Sequence, residues 1–166
     1  MDAQLKFRMP RYNEIPNVGL YLEQTVKYIN QCIEPLHLSI TGSMLSNYVK
    51  KGYIRRPVKK LYYADQIAYL IFIAVVKQTL SMENICKLFK IQQQSYTAEV
   101  AYNYFIKELE IQLQNLFNGK NIIRSTNGDS FGKNTLTKVV VAISHCIYLN
   151  FCFEEISNEA LDFENI

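Results

Sequence analysis

The chain has 166 residues, 49% of them hydrophobic and 20% charged, which is enough apolar material for a buried core and excludes a disordered chain. Its formal charge is +3, yet the segment from Pro35 to Ala64 alone carries +6, leaving −3 on everything else. Six glycines and four prolines are few for an all-β protein, and no proline follows Pro57, so a mainly α fold is expected.

Residues 1–16 read as a loosely structured arm, broken at Pro10 and Pro16. Asn17 is placed to cap a first helix running to about Cys32, with Leu22, Val26, Ile29 and Ile33 on its buried face. Ser39 is placed to cap a short second helix ending near Lys51, and Gly52 stands where a left-handed terminating residue belongs. Met44, Leu45, Tyr48 and Val49 form the apolar stripe of that helix. Thr41, Ser43, Ser46, Asn47 and Lys50 fall on its other side. Tyr53-Ile54 and Leu61-Tyr62 then read as short β pairs flanking Arg55 to Lys60, a small hairpin with a basic tip.

Further helices are expected from Ala64 or Asp65 to Lys77, from Met82 to Phe89 behind a Ser81 cap, and from Ser95 to Asn118 before Gly119. Asn121 to Asn134 reads as a polar loop, and a last helix runs from about Thr135 to Phe151. After Cys152 come Glu154, Glu155, Glu159, Asp162 and Glu164 with no base, an acidic tail. The apolar runs Ile67 to Val76 and Leu136 to Phe153 are read as core helices and not membrane spans. The N-terminal residues lack a signal-peptide core and no cysteine sits in a C-x-x-C pair, which points to a reducing cytoplasm.

The functional signal is the basic segment. No acid lies between Glu34 and Asp65, while Lys50, Lys51, Arg55, Arg56, Lys59 and Lys60 all do. Such a patch on an otherwise acidic chain suits a polyanion, most simply double-stranded DNA. Thr41, Ser43, Ser46 and Asn47 carry donors and acceptors suited to base edges in a major groove. The six bases suit phosphates, which position without specifying. The plain alternative is a solvated helix followed by a basic turn.

The stretch from Thr41 to Phe89 resembles the N-terminal winged helix-turn-helix of MerR-type transcription regulators. Leu45 to Ile54 is similar to that family's recognition-helix end. Pro57 stands near its wing proline, and Leu61-Tyr62-Tyr63 with Asp65, Ile67 and Leu70 resembles its wing exit and following helix. Leu80 to Ile85 is similar to its Gly-Phe-Ser-Leu-Glu-Glu-Ile pattern. The resemblance implies a short β wing and DNA binding through the helix around residues 40–51 and the loop at 55–60. The family's Arg-Tyr-Tyr arginine is replaced by Ser46-Asn47, so its base contacts do not carry over one for one. The whole chain is also similar to an uncharacterised bacterial family, domain of unknown function 1836, itself described as MerR-like; that likeness implies a fold and no activity.

Other constellations are weaker. His145, Cys146 and Cys152 lack the same-face spacing of a metal site, and Gly128 to Gly132 lacks the Gly-Lys-Ser/Thr ending of a phosphate loop. Tyr96, Tyr102 and Tyr104 are candidates for an effector pocket, with core packing the commoner role of such residues. Tyr102, Ile106, Leu109, Leu113 and Leu116 form a two-heptad seam that suits either a homodimer interface or packing on the last helix. The expectation is a mainly α protein: an N-terminal winged helix-turn-helix over 1–90, then a helical C-terminal region over 91–166 that dimerises. It is read as a cytoplasmic DNA-binding regulator with no catalytic residues, metal or cofactor. The alternative is a helical module whose basic face binds an acidic protein.

Overall fold

The computed structural model describes residues 7–120, 122 and 124–156. Among them are six α-helices: α1 (Leu22–Ile33), α2 (Gly42–Lys50), α3 (Ala64–Val76), α4 (Met82–Gln93), α5 (Ala98–Phe117) and α6 (Phe131–Glu154). Single 3-10 turns lie at Tyr12–Glu14 and Glu34–Leu36. Glu159, Asp162 and Glu164 of the expected acidic tail lie outside the described residues.

Helix α3 is the hub. It is apolar all round, and eleven of its residues, from Ala64 to Val76, are buried. A helix without a polar face must be enclosed, and α1, α4, α5 and α6 all pack on it. One cluster of buried side chains runs from Phe7 to Ile147. The expected boundary near residue 90 therefore falls inside α4 and within a shared core.

The seam on α5 is spent inside the protomer. Ile106, Leu109 and Leu113 are 0% exposed and Tyr102 5%, while Leu116 is half-buried. Tyr102, Ile106, Leu109 and Leu113 belong to the chain's own core, where α5 packs on α6 and α3. For these four the expectation of a dimer interface gives way to its alternative, packing within the protomer. Burial of a leucine such as Leu109 contributes roughly 1.5–3 kcal/mol to the protomer.

Chain reversals follow local chemistry. Gly52 and Gly119 have φ of +75° and +71°, the left-handed backbone that ends α2 and α5. Ser81, Thr97 and Ser130 each accept a bond from the backbone N–H three residues on, capping α4, α5 and α6. The most apolar 18-residue window of α6 has a mean hydropathy of 1.6, long and apolar enough by composition to cross a membrane; here the helix packs on α5, α4 and α3. Its far end closes over the beginning of the chain. Phe151 stacks on His37 with ring centroids 3.9 Å apart and meets Phe7 at 6.1 Å, and His37 contacts the Glu154 carboxylate.

The expected β wing is absent. Among the described residues there are only two isolated bridges, Val58 to Leu61 and Leu20 to Tyr62, and no strand. Tyr53-Ile54 does not pair with Leu61-Tyr62, because Ile54 is drawn into the core and Pro57 has no N–H to extend a ladder. Tyr62 pairs instead with Leu20, through N–H to carbonyl bonds of 2.9 and 2.8 Å.

Candidate nucleic-acid interface

Helix α2 is positioned by a side-chain bracket. Asn30 on α1 accepts from the Ile40 N–H at 2.8 Å and donates to the Ile40 carbonyl at 3.0 Å, so its amide imitates a paired strand. Lys77 Nζ reaches the Ser39 carbonyl at 3.3 Å, and burial holds this amine below the usual lysine range. The chain is thus kept extended past Ser39. The N-cap is Thr41, with φ −114° and ψ 160°, whose hydroxyl accepts from the Met44 N–H at 3.2 Å. Ser39 is therefore not the cap. Thr41, expected to read bases, has its oxygen committed to the helix end.

Leu45 and Tyr48 bury the inner face of α2. Ser43, Ser46, Asn47 and Lys50 are left outside, lining an open groove with Glu23 and Lys27 of α1. Thr41, Lys51, Arg55, Arg56, Lys59 and Lys60 are also exposed. None of these six bases is ion-paired among the described residues. Exposed cations without an ion-pair partner set a positive potential that an anionic partner can neutralise.

The basic loop is held from beneath by one residue. Gln66, 9% exposed in the first turn of α3, donates from Nε2 to the carbonyls of Arg55 and Arg56 at 3.1 and 3.2 Å. Its Oε1 accepts from the Tyr63 N–H at 3.1 Å. The Arg side chains stay free while their backbone is fixed. Asn17, expected to cap α1, caps α3 instead by accepting from the Ala64 N–H at 3.0 Å; α1 begins at Leu22.

The tip of the loop is strained. Val58 and Leu61 exchange two backbone bonds, of 3.1 and 2.9 Å, around Lys59 and Lys60. Both lysines have positive φ, 49° and 67°. That is the pattern of a type I′ turn, which Asn-Gly fills without cost and lysine does not. Left-handed backbone costs a non-glycine residue roughly 1–2 kcal/mol, and here it carries two exposed lysines at the turn. Gly19, at φ +88°, lies beneath: a Cβ there would come within 3.1 Å of Leu61.

Sequence reasoning missed Lys27, Lys87 and Lys90. The last two line a second groove together with Lys51 and Arg55, beside Asp65 and Glu83. Lys87 is paired with Glu83 at 2.8 Å, so Lys90 is the more available of the two. Their spacing on α4 marks them only as solvent-facing, and the groove exists because α4 folds back beside the loop. Among the described residues no group of three or more His, Cys, Asp or Glu is arranged to hold a metal ion. Burial pushes the Cys32 thiol up to about 11, outweighing the opposing hydrogen bond with Tyr28.

Over residues 10–105 the sequence matches the family described as domain of unknown function (DUF1836). The chain belongs to the DUF1836 family. No curated protein and no solved structure matches it. The DUF1836 match takes in the whole candidate interface, the bracket at Asn30 and the Gln66 support, and ends at Phe105 inside α5.

Proposed function

We propose that this DUF1836 protein is a cytoplasmic, sequence-specific DNA-binding regulator. In this reading α1 and α2 act as a helix-turn-helix of the winged, MerR-like kind, with the Val58–Leu61 turn in place of a wing. The observation that carries it is the set of six exposed cations around the polar face of α2 that have no ion-pair partner among the described residues. Ser43, Ser46 and Asn47 then meet base edges, and the six bases meet phosphates on either side. A single short helix reads few base pairs, so a two-fold dimer on a palindromic site belongs to the proposal. The surface that joins two copies is other than the α5 seam.

The test is fluorescence anisotropy of a labelled duplex across a salt series. Affinity should fall with salt by about 0.9 log unit per phosphate contact per log unit of salt. Arg55→Glu with Arg56→Glu should abolish binding without changing the fold, and Asn47→Ala should erode discrimination between sequences more than overall affinity. A protein with no affinity for any duplex at low salt would sink the reading and leave the acidic-protein module in its place.

A further inference from the structure

A cavity of about 260 Å³ lies between α3, α4 and α5, closed by Leu136 of α6, and adjoins the groove lined by Lys51, Arg55, Lys87 and Lys90. Ala68, Ala98 and Ala101 line it, and larger side chains at these positions would fill it. Its walls are aromatic. Tyr69 stacks on Phe89 at 3.8 Å, and Phe72 meets Phe105 edge-on at 4.8 Å. Of the tyrosines considered for an effector pocket, Tyr96 and Tyr102 line it, while Tyr104 does not and instead bonds Arg124.

The charge of the lining is one-sided. Asp65 is its single charged residue; Lys51, Arg55, Lys87 and Lys90 belong to the adjoining groove, which shares Asp65, Tyr69, Phe89, Gln93 and Ala98 with this lining. The Tyr12 hydroxyl donates to Asp65 and holds that carboxylate at the cavity wall. Aromatic faces present negative potential, and a carboxylate at their edge adds to it. Such a chamber favours a cation with an apolar body. It gives a neutral analogue only the apolar contact, and it repels an anion.

We propose that this cavity binds a small organic cation, an aryl- or alkylammonium whose apolar part lies among the rings and whose ammonium meets Asp65. Its volume is at the small end of ligand sites, suited to a molecule of roughly ten non-hydrogen atoms. The proposal concerns binding alone and stands whether or not the protein binds DNA.

Titration calorimetry of the full chain at pH 7, without DNA, tests it with three probes that share a phenylethyl group: 2-phenylethylamine, 2-phenylethanol and 3-phenylpropionate. The amine should bind saturably, about tenfold or more tighter than the alcohol, and the carboxylate should not bind. Asp65→Asn should bring the amine down to the alcohol's affinity, whereas Tyr12→Phe, which leaves the carboxylate in place, should keep the preference. Ala101→Leu should fill the void and abolish binding of both. If that variant melts early, Ala98→Leu at the cavity wall gives the same reading. No saturable amine binding at millimolar concentration would overturn the proposal. So would equal affinity for the carboxylate probe, or an amine preference that survives Asp65→Asn.

Discussion

Gln66 and Arg55 are tied across eleven residues by a 3.1 Å bond from the Gln66 amide to the Arg55 carbonyl. The tie fixes a charged side chain through its backbone and touches no charge itself. Gln66→Ala should therefore lower DNA affinity while leaving the slope of affinity against salt unchanged, since the number of phosphate contacts is the same. Freeing the Arg55 and Arg56 carbonyls and the Tyr63 N–H should also cost about 1–3 kcal/mol of stability, read by urea denaturation. An unaltered affinity would show that the loop holds its shape without this support.

The strained lysine pair makes a different forecast. Replacing Lys59-Lys60 by Asn-Gly relaxes the turn and removes two charges. Stability should rise by about 1–2 kcal/mol, seen as a Tm higher by several degrees. The salt slope for duplex binding should shrink by roughly 1.8 if both lysines meet phosphates. An unchanged or lower Tm would mean that the left-handed backbone is not costly here.

The α5 seam separates core from interface. Leu109→Ala should destabilise the protomer by about 2–5 kcal/mol, because the side chain is fully buried and its removal leaves a cavity. The mass from light scattering should not change. A fall in mass at unchanged stability would return Leu109 to a surface between two copies.

Tyr12 gives a pH-dependent prediction. Its hydrogen bond to Asp65, then burial and the nearby carboxylate charges, push it from 10.0 to about 12. The folded value is above the unfolded one, so the neutral phenol stabilises the fold. That contribution is complete below pH 10 and is lost as the pH rises through about 12. The stability difference between the parent and Tyr12→Phe should be largest below pH 10 and should narrow between pH 10 and 12. A difference constant over that range would contradict the assignment.

Periodicity and caps made the helices legible. Ser81 begins α4, Gly52 and Gly119 close α2 and α5, and the all-apolar run around Ile71 is the buried hub. The exposure of the six bases was equally readable, because no acid lies near them in sequence. What was not legible depends on distance along the chain. Asn17 was read as a cap for the next helix and caps α3, across 47 residues. Asn30 reaches ten residues forward to Ile40 and moves the start of α2 to Thr41. Ser130 begins α6 earlier than expected, since Gly132 reads as a breaker; it is needed because a Cβ there would come within 3.0 Å of Ile91. The wing failed for a similar reason: the partner of Tyr62 is Leu20, which no hairpin pattern anticipates. A side-chain amide that satisfies remote backbone leaves no period in the sequence.

The contact of Phe151 with His37 and Phe7 bears on how the protein is made. The helix that carries Phe151 is translated long after the segments it covers, so His37 and Phe7 have no lid during most of synthesis. Closing a loop across nearly the whole described chain is also entropically slow. The arm around Phe7 and the turn around His37 stay open to chaperones, proteases and solvent until α6 has left the ribosome.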